Sequence, residues 1–552
     1  MKINEIKNKK DLAKFLNVKY RTLTYVLYGE KIESFYTTFE IPKKNGDKRT
    51  IHAPNSILRT ILKKLERKLN ILYEETYSKE NNVVQAFVKG KSFISNAEKH
   101  RNKKFLINID LENFFDSFHF GRVKGFFEKD RLFSLPNDVS LSLAQLACYN
   151  GVLPQGSPAS PVITNFIFRI VDKRIMFLTK KYKLSYTRYA DDLTFSTNNK
   201  KIVEQYDMFI SELTEIIKKS GFTINENKTN FQYSSSRQEV TGLVVNEKVN
   251  CKREYYKETK SMALSLYKNG EFTIKGEKGT INQLEGRFSF INQIEKYNNI
   301  KKGKSYKNNK LSSKENEFKK FLFYRYFLTY EQPILITEGK TDIRYLKAAL
   351  MNLYKDYPQL IIKNGDRYIF KIKFLIRSER FRYFFKLNLD GADTIYNIYN
   401  LYEKEKLYDY FCDRFGIIPD NPVILIFDNE DSKEKPLNKF LKCTQNSGII
   451  SSNIKDNLYS ILKENTNLFL LVNQKIASQK DTEIENLFAQ DILNTHIDGK
   501  RLSLKDKINP EEEYGKEIFS KYIFENYNKI DFSNFRPMLD KLVELIDEYK
   551  NL

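Results

Sequence analysis

Apolar and polar positions change period several times along this chain, and each change marks an element. Residues 7–29 read as a small helical lead-in ending near Gly29. Phe105-Leu106-Ile107-Asn108-Ile109-Asp110-Leu111 is a short apolar run, the pattern of a buried strand, and it ends on an aspartate. From Lys183 to Ser196, β-prone runs flank Tyr189-Ala190-Asp191-Asp192, which predicts a hairpin with both aspartates in or beside a tight turn. Residues 202–219 show helical spacing and stop at Gly221, and residues 252–298 are largely helical in pattern. Residues 301–314 are polar and cationic with almost nothing to bury, the signature of an exposed connector. The aromatic run Phe318 to Tyr330 reads as one more helix.

Beyond residue 331 the pattern starts afresh. Pro333 to Thr337 predicts a strand, Glu338-Gly339 a turn, and a helix follows from about 341 to 352. Pro422 to Phe427 predicts a second buried strand, running into Asp428-Asn429-Glu430-Asp431. In a parallel α/β sheet such strand ends converge on one edge, where ligands bind. Asn388-Leu389-Asp390-Gly391-Ala392-Asp393 fits a strand and turn between them, and residues 500–552 look mostly helical.

Charge divides the chain at the same place. The 552 residues carry 93 Lys+Arg and 70 Asp+Glu, a net +23. Residues 1–330 hold 60 basic and 35 acidic residues, or +25, whereas 331–552 hold 33 and 35, or −2. That asymmetry is what is expected of a first part that grips a polyanion. A chain of this length predicts several domains. Its four cysteines, Cys148, Cys251, Cys412 and Cys443, are scattered, so neither a zinc knuckle nor a disulfide framework is expected, and reduced cytoplasm fits best. Met1-Lys2-Ile3-Asn4-Glu5 lacks an apolar signal core, and no run approaches the roughly 20 residues of a membrane span, so no membrane partner is expected.

Adjacent carboxylates repel unless a cation holds them. A strand that delivers Asp110 beside Asp191 and Asp192 makes a carboxylate cluster suited to two Mg²⁺ ions and to phosphoryl transfer, with Asp110, Leu111, Asp191 and Asp192 as the metal-binding set.

From about residue 20 to residue 300 the blocks resemble a reverse transcriptase, in the family's order. The cationic turn Ile41-Pro42-Lys43-Lys44-Asn45-Gly46-Asp47-Lys48-Arg49 comes first, followed by the Asp110 block with Phe115. Leu153-Pro154-Gln155-Gly156-Ser157-Pro158 comes next, then the Tyr189 block, then Gly221 to Thr229 with Lys228. The resemblance implies that Lys44, Arg49, Phe115, Gln155, Gly156 and Lys228 meet the nucleotide. Phe115 would screen the sugar 2′ position, and Lys228 would lie near the leaving phosphates. Asn96-Ala97-Glu98-Lys99-His100 and Val240-Thr241-Gly242 match two signatures of retron enzymes, which implies RNA contacts at Asn96, His100, Val240, Thr241 and Gly242. It also implies a cognate structured non-coding RNA, dNTP substrates, priming from a guanosine 2′-hydroxyl, and single-stranded DNA left joined to RNA through a 2′,5′ branch.

The two later motifs resemble a TOPRIM domain of the kind found in nucleases of the overcoming-lysogenization-defect type. That implies Glu338 as acid/base or metal ligand, with Asp342, Asp428, Glu430 and Glu485 around one or two Mg²⁺ ions. The sequence departs from the family's Asp-x-Asp by placing Glu430 second, with Asp431 next to it. The expected fold is therefore α/β and multidomain: a right-hand polymerase with fingers, an antiparallel palm sheet and a helical thumb, then a TOPRIM Rossmann-like domain. The expected boundaries are 1–300 for the polymerase, 301–331 for the connector and last thumb helix, 332–500 for TOPRIM and 501–552 for a helical extension. The resemblance implies a fused nuclease effector acting on nucleic acid in anti-phage defence. An untemplated polymerase of the abortive-infection type, or an RNA-binding module with a silent TOPRIM domain, stays open, as does a homo-oligomer.

Overall fold

The computed structural model describes residues 2–42, 46–77, 82–303, 310–444, 447–476, 480–504 and 508–551. They form two compact units, one of residues 1–256 and 294–302, the other of residues 257–293 and 303–552.

In the first unit, β1 (Tyr36–Pro42) and β2 (Lys48–Pro54) make an antiparallel ribbon from Tyr36 opposite Pro54 to Pro42 opposite Lys48. Lys44, expected at the nucleotide, lies outside the described residues. A four-stranded antiparallel sheet follows from β3 (Phe105–Leu111), β4 (Ser185–Tyr189), β5 (Asp192–Thr197) and β6 (Ile224–Tyr233), in the order β4-β5-β3-β6. The apolar run of β3 is central because both of its edges are paired, and five of its seven residues are buried. Its ladder with β5 runs from Phe105 opposite Thr197 to Asp110 opposite Asp192. Its ladder with β6 shifts register between Asn108 and Asp110, a bulge of the kind that re-aims side chains beside functional sites.

Helices Ser160–Tyr182 and Tyr206–Lys219 belong to the same unit, and Phe209 packs edge-on to Phe195 of β5 at 5.1 Å. Pro161 in the first turn costs the longer helix no hydrogen bond, and Lys183 ends it in the left-handed conformation. The expected helical lead-in is present as Lys9–Phe15, Tyr20–Thr24 and a final wide turn at Tyr25–Gly29.

The second unit holds a five-stranded sheet in the order 373–374, 334–337, 423–427, 468–472, 459–461. The first four strands are parallel and the last antiparallel. Ile334–Thr337, Val423–Phe427 and Leu468–Val472 are buried throughout, as continuous apolar runs in a covered parallel sheet must be. Helix Lys340–Asn352 follows the first of these strands. Residues 388–393 form bends and a turn instead of the expected strand, because one apolar residue between Asn388 and Asp390 has too little to bury. The Asp390 carboxylate instead accepts from the main-chain N–H groups of Lys340 and Gly391.

Past residue 500, helices Lys516–Glu525 and Arg536–Asn551 dominate, preceded by short parallel strands at Arg501–Leu502 and Glu513–Tyr514. Phe288 stacks on Phe318 and Phe321, joining residues 257–293 to the core of this unit. Among the described residues no helix is long and apolar enough to cross a membrane.

Candidate functional site

The first site is assembled by the β4–β5 turn. Ala190 takes a left-handed φ of 57°, which costs a side-chain-bearing residue about 1–2 kcal/mol and folds Asp191 and Asp192 back toward β3. The turn is held from behind. Arg188 is fully buried, donates to both carboxylate oxygens of buried Asp172 at 2.9–3.2 Å, and donates to the Ala190 carbonyl at 3.3 Å. Tyr186 Oη donates to the same aspartate at 2.8 Å, and Phe168 lies beneath the guanidinium. Sequence reading missed this pair, because an arginine and an aspartate sixteen residues apart carry no periodic signal.

Asp110 stands opposite Asp192, and the Leu111 N–H donates to the Asp191 carbonyl at 3.1 Å, so the three aspartates converge. Leu111 is buried and has only main-chain oxygen to offer a cation. Burial, then Asp191 and Asp110, push Asp192 up to about 7; burial also raises Asp191. Lys228 Nζ, 2.8 Å from Asp110 Oδ1, is the neutralising charge. Among the described residues no three His, Cys, Asp or Glu side chains are already arranged to hold a metal ion. The chemistry still fits a hard divalent cation, because three half-buried carboxylates share one lysine and burial drives Asp191 and Asp192 toward protonation.

A cavity of about 600 Å³ adjoins the cluster, lined by Asp110, Leu111 and Asp191 together with Arg49, Phe115, Gln155 and Lys228. Four residues expected at the nucleotide, drawn from separate sequence blocks, thus meet in one place. Gly156, at φ 115°, lies against β2: a Cβ there would fall 2.7 Å from the His52 carbonyl, and the His52 N–H donates to the Gln155 carbonyl at 2.8 Å. Glycine is required by that approach.

Asn96 and His100 are 0% exposed. The His100 ring nitrogens lie 2.7 Å from Ser196 Oγ and from Thr187 Oγ1, and Thr187 donates to Asn96 Oδ1. Burial holds His100 neutral, at about 3. With Thr187 donating to Asn96, the ring donates through Nε2 and accepts from Ser196. These two side chains tie helix Phe93–Lys99 to both strands of the β4–β5 hairpin and present no polar surface to solvent. Thr241 and Gly242, both at positive φ, form the turn between β7 (Glu239–Val240) and β8 (Leu243–Val244). Thr241 donates to the Phe93 carbonyl at 3.0 Å, so the turn of the second signature is bonded to the first residue of the helix that carries Asn96. Val240 is buried and Gly242 exposed.

The second unit has its own acids. Glu338 and Asp428 follow neighbouring parallel strands, and the Asp428 N–H donates to Glu338 Oε1 at 2.9 Å. Asp342 caps its own helix by accepting from Gly339 N–H at 2.8 Å, and Asp428 accepts from Ile484 N–H at 2.8 Å. Burial raises Glu338, Asp342 and Asp428, each further opposed or reinforced by its neighbours, and lifts Glu485 to about 7. Lys516 bridges Glu483 and Glu485 at 3.0 and 3.1 Å, and Lys435 bridges Glu430 and Glu483 at 2.8 and 3.1 Å. Lys435 follows Asp431 by four residues and Lys516 lies far beyond the motifs, and nothing in the pattern announces either pairing. Glu430 is buried and among the described residues its Oε2 accepts no hydrogen bond, an orphaned carboxylate oxygen that a cation would satisfy. Asp431 is exposed and pairs with Lys475.

Comparison with known proteins follows the same division. Residues 41–254 match the family described as reverse transcriptase (RNA-dependent DNA polymerase). The chain is 34% identical over 295 residues to the retron Ec86 reverse transcriptase of Escherichia coli, covering 52% of this chain and 85% of that protein. It is 29% identical over 327 residues to the retron Mx162 reverse transcriptase of Myxococcus xanthus, covering 53% of this chain and 65% of that one. A solved telomerase from Candida albicans, in complex with a fragment of telomeric RNA, is 13% identical with a TM-score of 0.31, covering 52% of this chain and 58% of that one.

Proposed function

The chain belongs to the retron reverse transcriptase family, and on that premise we propose that its first unit copies a cognate structured RNA into single-stranded DNA left joined to that RNA through a 2′,5′ branch. The observation that supports this most directly is the convergence of Asp110, Asp191 and Asp192 beside a nucleotide-sized cavity. Reverse transcriptases use a divalent metal, and the three aspartates with the Leu111 carbonyl would hold it. Bound Mg²⁺ supplies activation of the attacking hydroxyl and stabilisation of the leaving pyrophosphate. Lys228 then turns from Asp110 to the phosphates, while Arg49 meets the triphosphate, Phe115 limits the sugar, and Gln155 with Gly156 fixes the nucleotide against β2. Asn96, His100 and the Val240–Gly242 turn set the hairpin's position and act on RNA through it.

Extraction of nucleic acid from the purified chain, co-expressed with its genomic neighbourhood, tests this reading. A discrete DNA band that shifts on debranching is expected. RNA without DNA, or DNA of random length, overturns it.

The acids of the second unit favour a further activity. Glu338 and Asp428 lie at one edge of a parallel sheet, where α/β domains place their ligands, and Glu430 keeps an unpaired oxygen there. This supports a TOPRIM-type, Mg²⁺-dependent phosphodiesterase, with Glu338, Asp342, Asp428, Glu430 and Glu485 as its acids, acting on nucleic acid as a defence effector. Glu338→Ala cells should survive phage-triggered toxicity while still making DNA. Continued growth arrest in that variant would defeat the assignment.

A further inference from the structure

The first unit carries a second basic concavity that the polymerase site does not use. It encloses about 740 Å³ beside helix Ser160–Tyr182, and six of its lining residues are cations: Arg122, Lys129, Arg131, Arg169, Lys173 and Arg174. None of these lines the cavity beside Asp110. Among the described residues the lining holds one acid, Asp130, which accepts from Arg169 at 3.4 Å.

Two of the arginines are built into place. Arg122 donates to the carbonyls of Ser117 and Ser220 and lies 4.8 Å from the Phe222 ring centre; burial lowers its pKa. Arg169 stacks over Tyr77 at 4.2 Å, and among the described residues its buried Nε finds no acceptor.

The same helix continues the surface. Ile170, Lys173, Arg174 and Phe177 recur at the three- and four-residue steps of one helical face. Ile170 is 51% exposed and Phe177 74% exposed. Lys180 Nζ lies 5.6 Å from the Phe177 ring centre. A core helix has no reason to show a phenylalanine to water between cations. Single-stranded RNA gives one, since bases stack on aromatic faces while Lys and Arg take the phosphates.

We propose that this concavity and the adjoining helix face form a second RNA-docking surface. It would hold a single-stranded segment of the RNA by phosphate contacts at Arg131, Lys173 and Arg174 and by one base stacked on Phe177. It rests on the reading of the chain as an RNA-bound enzyme but requires no catalysis, so the two can fail separately.

The test uses the full chain and a fluorescein-labelled RNA hairpin with single-stranded flanks. The variants are Phe177→Ala and the triple Arg131→Gln/Lys173→Gln/Arg174→Gln; among the described residues these four side chains make no hydrogen bond apart from Arg174 to Ser220 Oγ at 3.3 Å. Circular dichroism melting confirms folding, and oligo(dT) extension on poly(rA) reads the polymerase site alone. The triple variant should bind the hairpin about tenfold or more weakly, with the salt dependence of log Kd reduced by about 0.7 for each lost phosphate contact. Phe177→Ala should weaken binding about fivefold or more with the salt slope unchanged. Homopolymer extension should persist in both. Ultraviolet crosslinking should recover RNA on the peptide containing Phe177.

Unchanged affinity and slope in the triple variant, or crosslinks confined to peptides of the Asp110 cavity, would overturn the proposal. So would a change in sedimentation without a change in RNA affinity, which would make the face a contact between copies of the chain. Loss of homopolymer extension in the unsubstituted chain would instead count against the polymerase reading and leave the docking surface to be judged by binding alone.

Discussion

The two units solve the same electrostatic problem in different ways. In the first, three aspartates share one exposed lysine, Lys228, next to an open cavity. In the second, Glu338, Asp342 and Asp428 each accept from a main-chain N–H, and Lys435 and Lys516 neutralise Glu430, Glu483 and Glu485. A carboxylate held by backbone amides keeps its direction, whereas one held by a long flexible lysine can be handed over. The first cluster is therefore suited to a site whose substrate arrives with its own charge at every cycle. The second is suited to acids kept in place until a cation displaces a lysine.

Crossed substitutions put the largest strain on that comparison. Asp191→Asn should cut primer extension on an RNA template by about 10³-fold or more, since the loss removes charge from the reacting centre. Glu338→Gln should leave extension unchanged. Equal damage from both would mean that the clusters do not work independently, and normal extension by Asp191→Asn would remove the first cluster from the chemistry.

Next in size is the buried pair behind the first cluster. Arg188→Met strands Asp172 in the core and should cost about 3–5 kcal/mol in urea unfolding followed by circular dichroism. Adding Asp172→Leu should restore much of it. A small loss in the single variant would show that the turn is not braced from behind.

His100 offers a pH test of the same region. Its folded pKa, about 3, lies below the unfolded value near 6.5, so as pH falls through 6.5 the unfolded chain takes up a proton that the folded chain refuses. Stability should be lost between about pH 6.5 and 3, by up to about 1.4 kcal/mol for each pH unit. Asp192 works in the opposite sense from about 4 to 7, because the folded state holds its proton more tightly there. The informative quantity is thus the difference from His100→Gln, whose melting should depend less on pH over the lower window. Identical pH profiles would mean that His100 is not held neutral.

The smallest effect sharpens the second cluster. Asp431 is exposed and paired to an exposed lysine, so Asp431→Asn should cost less than about 1 kcal/mol and leave any phosphodiesterase rate nearly unchanged. Glu430→Gln should reduce that rate. The reverse ranking would move the ligand role to Asp431.

Legibility in the sequence followed the range of the interactions. The β3 run, the β4–β5 hairpin, the helix after Gly339 and the strand before Asp428 were all visible, because each is a local period bounded by a turn. The expected strand at 388–393 failed because its pattern rested on a single leucine. Asn96 and His100 were legible as a signature and misleading as a surface: nothing local distinguishes a histidine that faces RNA from one sealed between Thr187 and Ser196.

By itself, the sequence determined which residues could do phosphoryl chemistry and in what order they come, since carboxylates, cations and bend-forming glycines are properties of residue type and spacing. Only the tertiary structure decided which charges neutralise which. Lys228 meets Asp110 across 118 residues, Arg188 meets Asp172 between a strand and a helix, and Lys516 meets Glu485 from a separate helix. Such pairings depend on distance and burial in space, and a one-dimensional pattern carries neither.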